Sequence, residues 1–129
     1  MKICIDSSAY IAMHRGTGNV GKILAQSEEV LVPAATFAEL TEGFLGDAKG
    51  VEKNSEFNNF LDMPNVRFVP AGHSIAYRYA QISHSLRRRG TPVPPNDIWI
   101  AATAFENGAC VLSYDAHFDR IDGLGRMAP

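Results

Sequence analysis

Four carboxylates stand at places in the chain where a parallel sheet would gather them. Asp6 follows the apolar run Lys2 to Ile5, and Asp115 follows the run Cys110 to Ser113. Glu39, in Ala34-Ala35-Thr36-Phe37-Ala38-Glu39-Leu40, and Asp97, in Pro94-Pro95-Asn96-Asp97-Ile98-Trp99, each open a helical pattern. In an open α/β sheet, ligands bind beyond the carboxyl ends of the strands, near the point where strand order reverses. Strand ends and the starts of following helices both face that edge. Asp119 lies four residues past Asp115 and shares its face if that segment is helical. Four or five carboxylates are then expected to converge. Two unit charges about 5 Å apart repel by about 3 kcal/mol at an effective dielectric of roughly 20, so such a cluster calls for a counterion. Hard oxygen donors suit Mg²⁺, or Mn²⁺ in its place. Mg²⁺ takes one or two carboxylates and keeps waters and substrate phosphate oxygens elsewhere.

The elements that would position these acids are legible as alternating patterns. Short apolar runs at Lys2 to Ile5, Val30 to Val32, Val66 to Val69 and Cys110 to Ser113 read as strands. Between them apolar residues recur at helical spacing: Phe37, Leu40, Phe44; Phe57, Phe60, Leu61; Ile75, Tyr79, Ile82, Leu86; Ile98, Ala101, Ala102, Phe105. Strands separated by helices favour parallel pairing through right-handed crossovers, so the expected fold is a three-layer α/β arrangement with helices covering a mainly parallel sheet. Pro33, Pro64-Asn65 and the stretch Gly90 to Pro95 punctuate it. The length, 129 residues, leads us to expect a single domain over 1–129.

Composition excludes several classes of protein. With 46% hydrophobic and 20% charged residues the chain has the material for a core, and a net charge of -2 excludes binding of polyanions through bulk positive charge. Cys4 and Cys110 lie inside apolar runs, and the expected state is the reduced thiol. With no Cys-x-x-Cys, no signal-like leader and no apolar stretch long enough to span a bilayer, the expected location is cytoplasmic, with no membrane partner.

The succession Asp6-Ser7-Ser8, Glu39-Leu40, Asn96-Asp97-Ile98-Trp99-Ile100-Ala101-Ala102 and Ser113-Tyr114-Asp115-Ala116-His117-Phe118 resembles the PIN-domain proteins. Among them it is similar to the small VapC-type toxin ribonucleases of toxin-antitoxin pairs. Each motif alone is weak, whereas their order and spacing over nearly the whole chain are specific. The resemblance implies a PIN-like α/β/α fold with a sheet of four or five strands. It further implies an endonuclease acting on RNA, in which Asp6, Glu39, Asp97 and Asp115 hold one or two Mg²⁺ or Mn²⁺ ions. The implied reaction is attack of a metal-activated water on a phosphodiester, the carboxylates positioning metal rather than attacking. Ser113 would hydrogen-bond the acids or a phosphate, with Ser7 and Asn96 as further supports. Also implied are a homodimer and a cognate antitoxin protein, bound at a clip-like surface made by the Phe44 helix and the segment Leu45 to Leu61. The tail Leu124-Gly125-Arg126-Met127-Ala128-Pro129 departs from the pattern, leaving little room for the usual final strand.

Each motif also has a purely structural explanation. Thr36-x-x-Glu39 fits a capping box, and Asp97 after Asn96 fits the acid-rich first turn of a capped helix. Asp6 resists this treatment, because an acid ending a buried strand must be solvated, paired or metal-bound. Asp119 reads best as a surface acid, and the four histidines as surface or cap groups, with His117 beside Asp115 a possible substrate contact. Gly16-Thr17-Gly18-Asn19-Val20-Gly21 matches a dinucleotide fingerprint but starts about ten residues after its strand, so it reads as an inter-helix loop. Arg87-Arg88-Arg89 fits a solvated helix terminus, and alternatively an RNA-gripping rim near Asp97. Trp99 fits an interface. Two other functions compete: a catalytically silent RNA- or protein-binding scaffold of the same fold, and a phosphoaspartyl phosphatase or receiver, which would need a second acid near Asp6 and a late lysine that the chain lacks.

Overall fold

The four apolar runs form strands β1 (Lys2–Ile5), β2 (Glu29–Pro33), β3 (Val66–Val69) and β4 (Cys110–Leu112) in a computed structural model that describes residues 1–129. A fifth strand, β5 (Arg126–Met127), forms in the tail. All pair in parallel, in the order β3-β2-β1-β4-β5. The chain runs outward from β1 through β2 to β3 and then returns across β1 to β4 and β5, so strand order reverses between β1 and β4.

Parallel neighbours need crossovers, and these supply helices to both faces. They are α1 (Ser7–His14), α2 (Val20–Gln26), α3 (Ala34–Leu45), α4 (Gly50–Leu61), α5 (His73–Arg89) and α6 (Pro95–Asn107), followed by a 3₁₀ turn at Ala116–Arg120. Side chains alternate across the sheet. Cys4, Leu31 and Val111 pack with α5 and α6, while Ile3, Ile5, Val30, Val32 and Leu112 pack with α1 to α4. Two-sided burial explains why these strands are apolar throughout, and each fully buried Val, Leu or Ile contributes about 1.5–3 kcal/mol. The expected three-layer α/β/α architecture is therefore the observed one. Both cysteines are free, Cys4 buried and Cys110 partly so. No helix is long and apolar enough to cross a membrane.

The tail settles at five strands. Val111 N–H donates to Gly125 O at 2.8 Å and Ser113 N–H to Met127 O at 3.2 Å. The outer edge of β4 offers unpaired backbone groups, and two residues suffice to use them.

Several local expectations are corrected. Helix α3 begins at Ala34, directly after Pro33, so Thr36 falls inside the first turn and its hydroxyl donates to Ile5 O at 2.9 Å. No capping box forms. Pro94 caps α6, with Pro95 leading the helix, so Asn96 is not the cap either. Trp99 stacks on Tyr79 of α5, with ring centroids 4.2 Å apart, and so finds its partner within the chain. The glycine-rich segment lies between α1 and α2, with Gly16 and Gly18 at φ 70° and 65°, as an inter-helix loop should. At the α3–α4 turn, a Cβ on Gly50 would overlap the Phe44 carbonyl oxygen. Gly50→Ala is expected to cost about 1–3 kcal/mol, read as a lower urea midpoint; an unchanged midpoint would show that this turn yields freely.

Candidate metal centre and active site

The site forms where β1 and β4 part. Asp6 leaves β1 and caps α1, its Oδ1 accepting from Ala9 N–H at 2.9 Å and from the Ser8 hydroxyl at 2.8 Å. Its second oxygen accepts from the hydroxyl of Ser113, which is fully buried just beyond β4. Asp6 is only 5% exposed, and burial pushes its carboxyl above the usual range against the opposing pull of these hydrogen bonds. The same Ser113 oxygen accepts from Asp115 N–H at 2.9 Å, so one hydroxyl joins two of the expected site acids.

Glu39 projects from the second turn of α3, and both its oxygens are held: Oε1 accepts from the Ser7 hydroxyl and Oε2 from Asn96 Nδ2 at 3.2 Å. Three elements, α1, α3 and α6, thus meet at one carboxylate. Ser7, Asn96 and Ser113 each donate a hydrogen bond to one of these carboxylates.

Asp97 sits in the first turn of α6. Its carboxyl is pushed up to about 6, chiefly by burial and then by the charges of Asp115 and Asp6, with Glu39 adding a smaller push and His117 opposing. Asp115 caps the 3₁₀ turn by accepting from His117 N–H at 2.8 Å. That turn swings the imidazole back, placing His117 Nδ1 at 3.0 Å from Asp115 Oδ1 and 3.6 Å from Asp97 Oδ2. Asp97, Asp115 and His117 each bring a ligand atom to within 4.8 Å of the others. This donor set could hold a metal ion. Mutually repelling, half-buried carboxylates are what a cation would relieve, and oxygen donors outnumber the one nitrogen.

Asp119 is a surface acid, as its better reading has it, and stays apart from the cluster: it pairs with Arg126, whose Nε and Nη2 donate to its two oxygens at 2.8 and 2.9 Å. The 3₁₀ turn has three residues per turn, so a residue four positions on is rotated well off the face of Asp115. His117, read as a surface or cap group, lies instead among the acids; the signal was Asp-x-His with Asp115 as a turn cap. Of the three arginines, Arg89 is engaged with Asp122 and with Arg120 O. Arg87 and Arg88 are exposed at the end of α5.

Residues 3–124 match the family model of the PIN domain. The chain belongs to the PIN domain family. Ribonuclease VapC5 of Mycobacterium tuberculosis is 27% identical over 129 residues, covering 95% of this chain and 90% of that protein. The FitAcB structure from Neisseria gonorrhoeae superposes with a TM-score of 0.82 at 27% identity, over 100% of this chain and 98% of that one. The DNA-bound VapBC structure from Salmonella typhimurium reaches 0.88 at 21% identity, over 98% and 97%, a likeness of fold.

Proposed function

We propose that the chain is a metal-dependent endoribonuclease of the VapC kind, working as a toxin held by an antitoxin protein. The observation that carries this reading is the convergence of Asp6, Glu39, Asp97 and Asp115 on one edge of a PIN-domain sheet whose relative in Mycobacterium tuberculosis is named a ribonuclease. Bound Mg²⁺, or Mn²⁺, would supply activation of a water and neutralisation of phosphate charge. The chain's own groups do the arranging. Ser113 fixes Asp6 relative to Asp115, Ser7 and Asn96 orient both oxygens of Glu39, and the His117 imidazole lies between the carboxylates of Asp97 and Asp115.

Arg87 and Arg88 support an RNA-gripping rim, since α5 ends only five residues before α6 carries Asp97 into the site. Arg88→Glu is expected to weaken RNA binding and to lower the slope of log affinity against log salt by about one. Filter binding at several salt concentrations measures this, and an unchanged slope and affinity remove Arg88 from the rim.

For the antitoxin, a cleft of about 280 Å³ opens beside the site, its lining including Tyr10, Ile11, Leu40 and Phe44 together with Ser7 and Glu39 of the site. Leu40 and Phe44 come from the Phe44 helix and Asp47 and Lys53 from the Leu45 to Leu61 segment of the expected clip, while Tyr10 and Ile11 of α1 add to it. Solved structures of like fold, one of them a toxin-antitoxin complex from Klebsiella pneumoniae and another a member of the VapBC family of toxin-antitoxin systems, support such a partner. The reading also takes the working unit as a single domain and a homodimer, for which Leu45 and Val51, 84% and 88% exposed, supply apolar surface. The test is cleavage of end-labelled RNA by the purified chain with Mn²⁺ or with EDTA. Cutting with metal alone is the expected result; a folded chain that neither cuts several RNA classes nor binds Mn²⁺ is a scaffold.

A further inference from the structure

Ser113 is fixed at every polar atom. Its hydroxyl donates to Asp6 and accepts from Asp115 N–H, its own N–H donates to Met127 O, and its carbonyl accepts from Arg126 Nη1 at 3.1 Å. Two of these four partners come from β5, a strand only two residues long.

Arg126 is itself locked. Its side chain is 17% exposed, and its other two nitrogens grip both oxygens of Asp119 in a two-pronged pair. One guanidinium therefore ties the carbonyl of Ser113 to the carboxylate of Asp119, spanning the segment that carries Asp115 and His117. A lysine ammonium is a single point of charge and lacks the planar fork needed to make both contacts in fixed geometry.

We propose that Arg126, anchored by Asp119, is a positioning residue that sets the Ser113–Asp115 corner and through it the cation affinity of the acid cluster. The inference rests on reading that cluster as a cation site. It gives Asp119 a role as anchor rather than ligand, and gives β5 a task in the site.

The test is Mn²⁺ binding to the full chain, followed by the electron paramagnetic resonance signal of free Mn²⁺. It uses wild type, Arg126→Gln, Arg126→Lys, Asp119→Asn and the Arg126→Gln/Asp119→Asn double variant. Loss of an outer hydrogen-bond partner typically lowers metal affinity by about 10–100-fold, and about tenfold is expected for Arg126→Gln. Arg126→Lys should recover only part of it. Asp119→Asn should lose less, and the double variant no more than Arg126→Gln alone, because the two residues act in series. RNA cleavage should show a lower kcat with KM unchanged, and the Asp115 amide should exchange its hydrogen faster. Wild-type affinity in a folded Arg126→Gln overturns the inference, as does a larger loss in Asp119→Asn that adds to the first, which would make Asp119 a ligand. If Arg126→Gln does not fold, Asp119→Asn decides, and wild-type affinity there overturns it. A wild-type chain that binds no Mn²⁺ brings down the underlying reading and the inference with it; a wild type that binds, beside an indifferent Arg126→Gln, sinks the inference alone.

Discussion

Asp97→Asn is expected to lower metal-dependent RNA cleavage by more than about a hundredfold while leaving the chain folded. Outer partners of a metal site are worth about 10–100-fold, and Asp97 is placed to be a ligand itself, within 4.8 Å of donor atoms on Asp115 and His117. The substitution keeps size and shape and removes only the charge. The α6 cap does not depend on it, because Pro94 and Pro95 begin that helix without it. Initial rates on end-labelled RNA, beside circular dichroism, check this. A loss of less than about tenfold would place Asp97 outside the reaction.

Without metal, the same substitution is expected to stabilise the protein at neutral pH. The Asp97 carboxyl rises from an ordinary 3.8 to about 6 in the folded chain. Between those values the native state binds more protons than the unfolded one, so stability falls as pH rises through that window. The destabilisation is complete above about 6 and absent below about 3.8. At about 1.4 kcal/mol for each unit of pKa it comes to roughly 3 kcal/mol at most, and partial exposure together with sharing of charge with Asp115, Asp6 and Glu39 reduces what one substitution recovers to about 1–2 kcal/mol. Urea unfolding in EDTA at pH 7.5 should therefore find Asp97→Asn the more stable, with the difference vanishing by about pH 4. Added Mn²⁺ should reverse the order, because it stabilises only the chain that binds it. A variant less stable than wild type at pH 7.5 in EDTA would mean that native partners, rather than burial and repulsion, govern this carboxylate.

Much of this arrangement was readable in the sequence because it rests on strong, local signals. Runs such as Ile3 to Ile5 and Val30 to Val32 are apolar on both faces, so they announce buried parallel strands. An acid directly after such a strand, as at Asp6, has few structural uses. Features that depend on where an element starts, or on which kind of helix it is, carry no such local signal. Thr36-x-x-Glu39 matches a cap locally, but α3 starts directly after Pro33, and the threonine hydroxyl is taken by Ile5 O in the neighbouring strand. Asp119 would share the face of Asp115 only under α-helical periodicity, which the 3₁₀ turn breaks, so its reading as a surface acid stands. Its partner Arg126 lies seven residues further on in a strand of two residues, too short to carry any periodic signal. His117 gained its place only through the turn that Asp115 caps. Side-chain networks that join separate elements, such as Ser7, Glu39 and Asn96, become visible only once the sheet has brought them together.

If the acids at the β1–β4 edge form one cation site, Mn²⁺ titration of the metal-stripped chain at pH 7.5, wild type beside Asp97→Asn, will show saturable binding of one or two ions per chain that is lost in the variant. Saturable binding of equal strength in both, or none in a folded wild type, would contradict that arrangement.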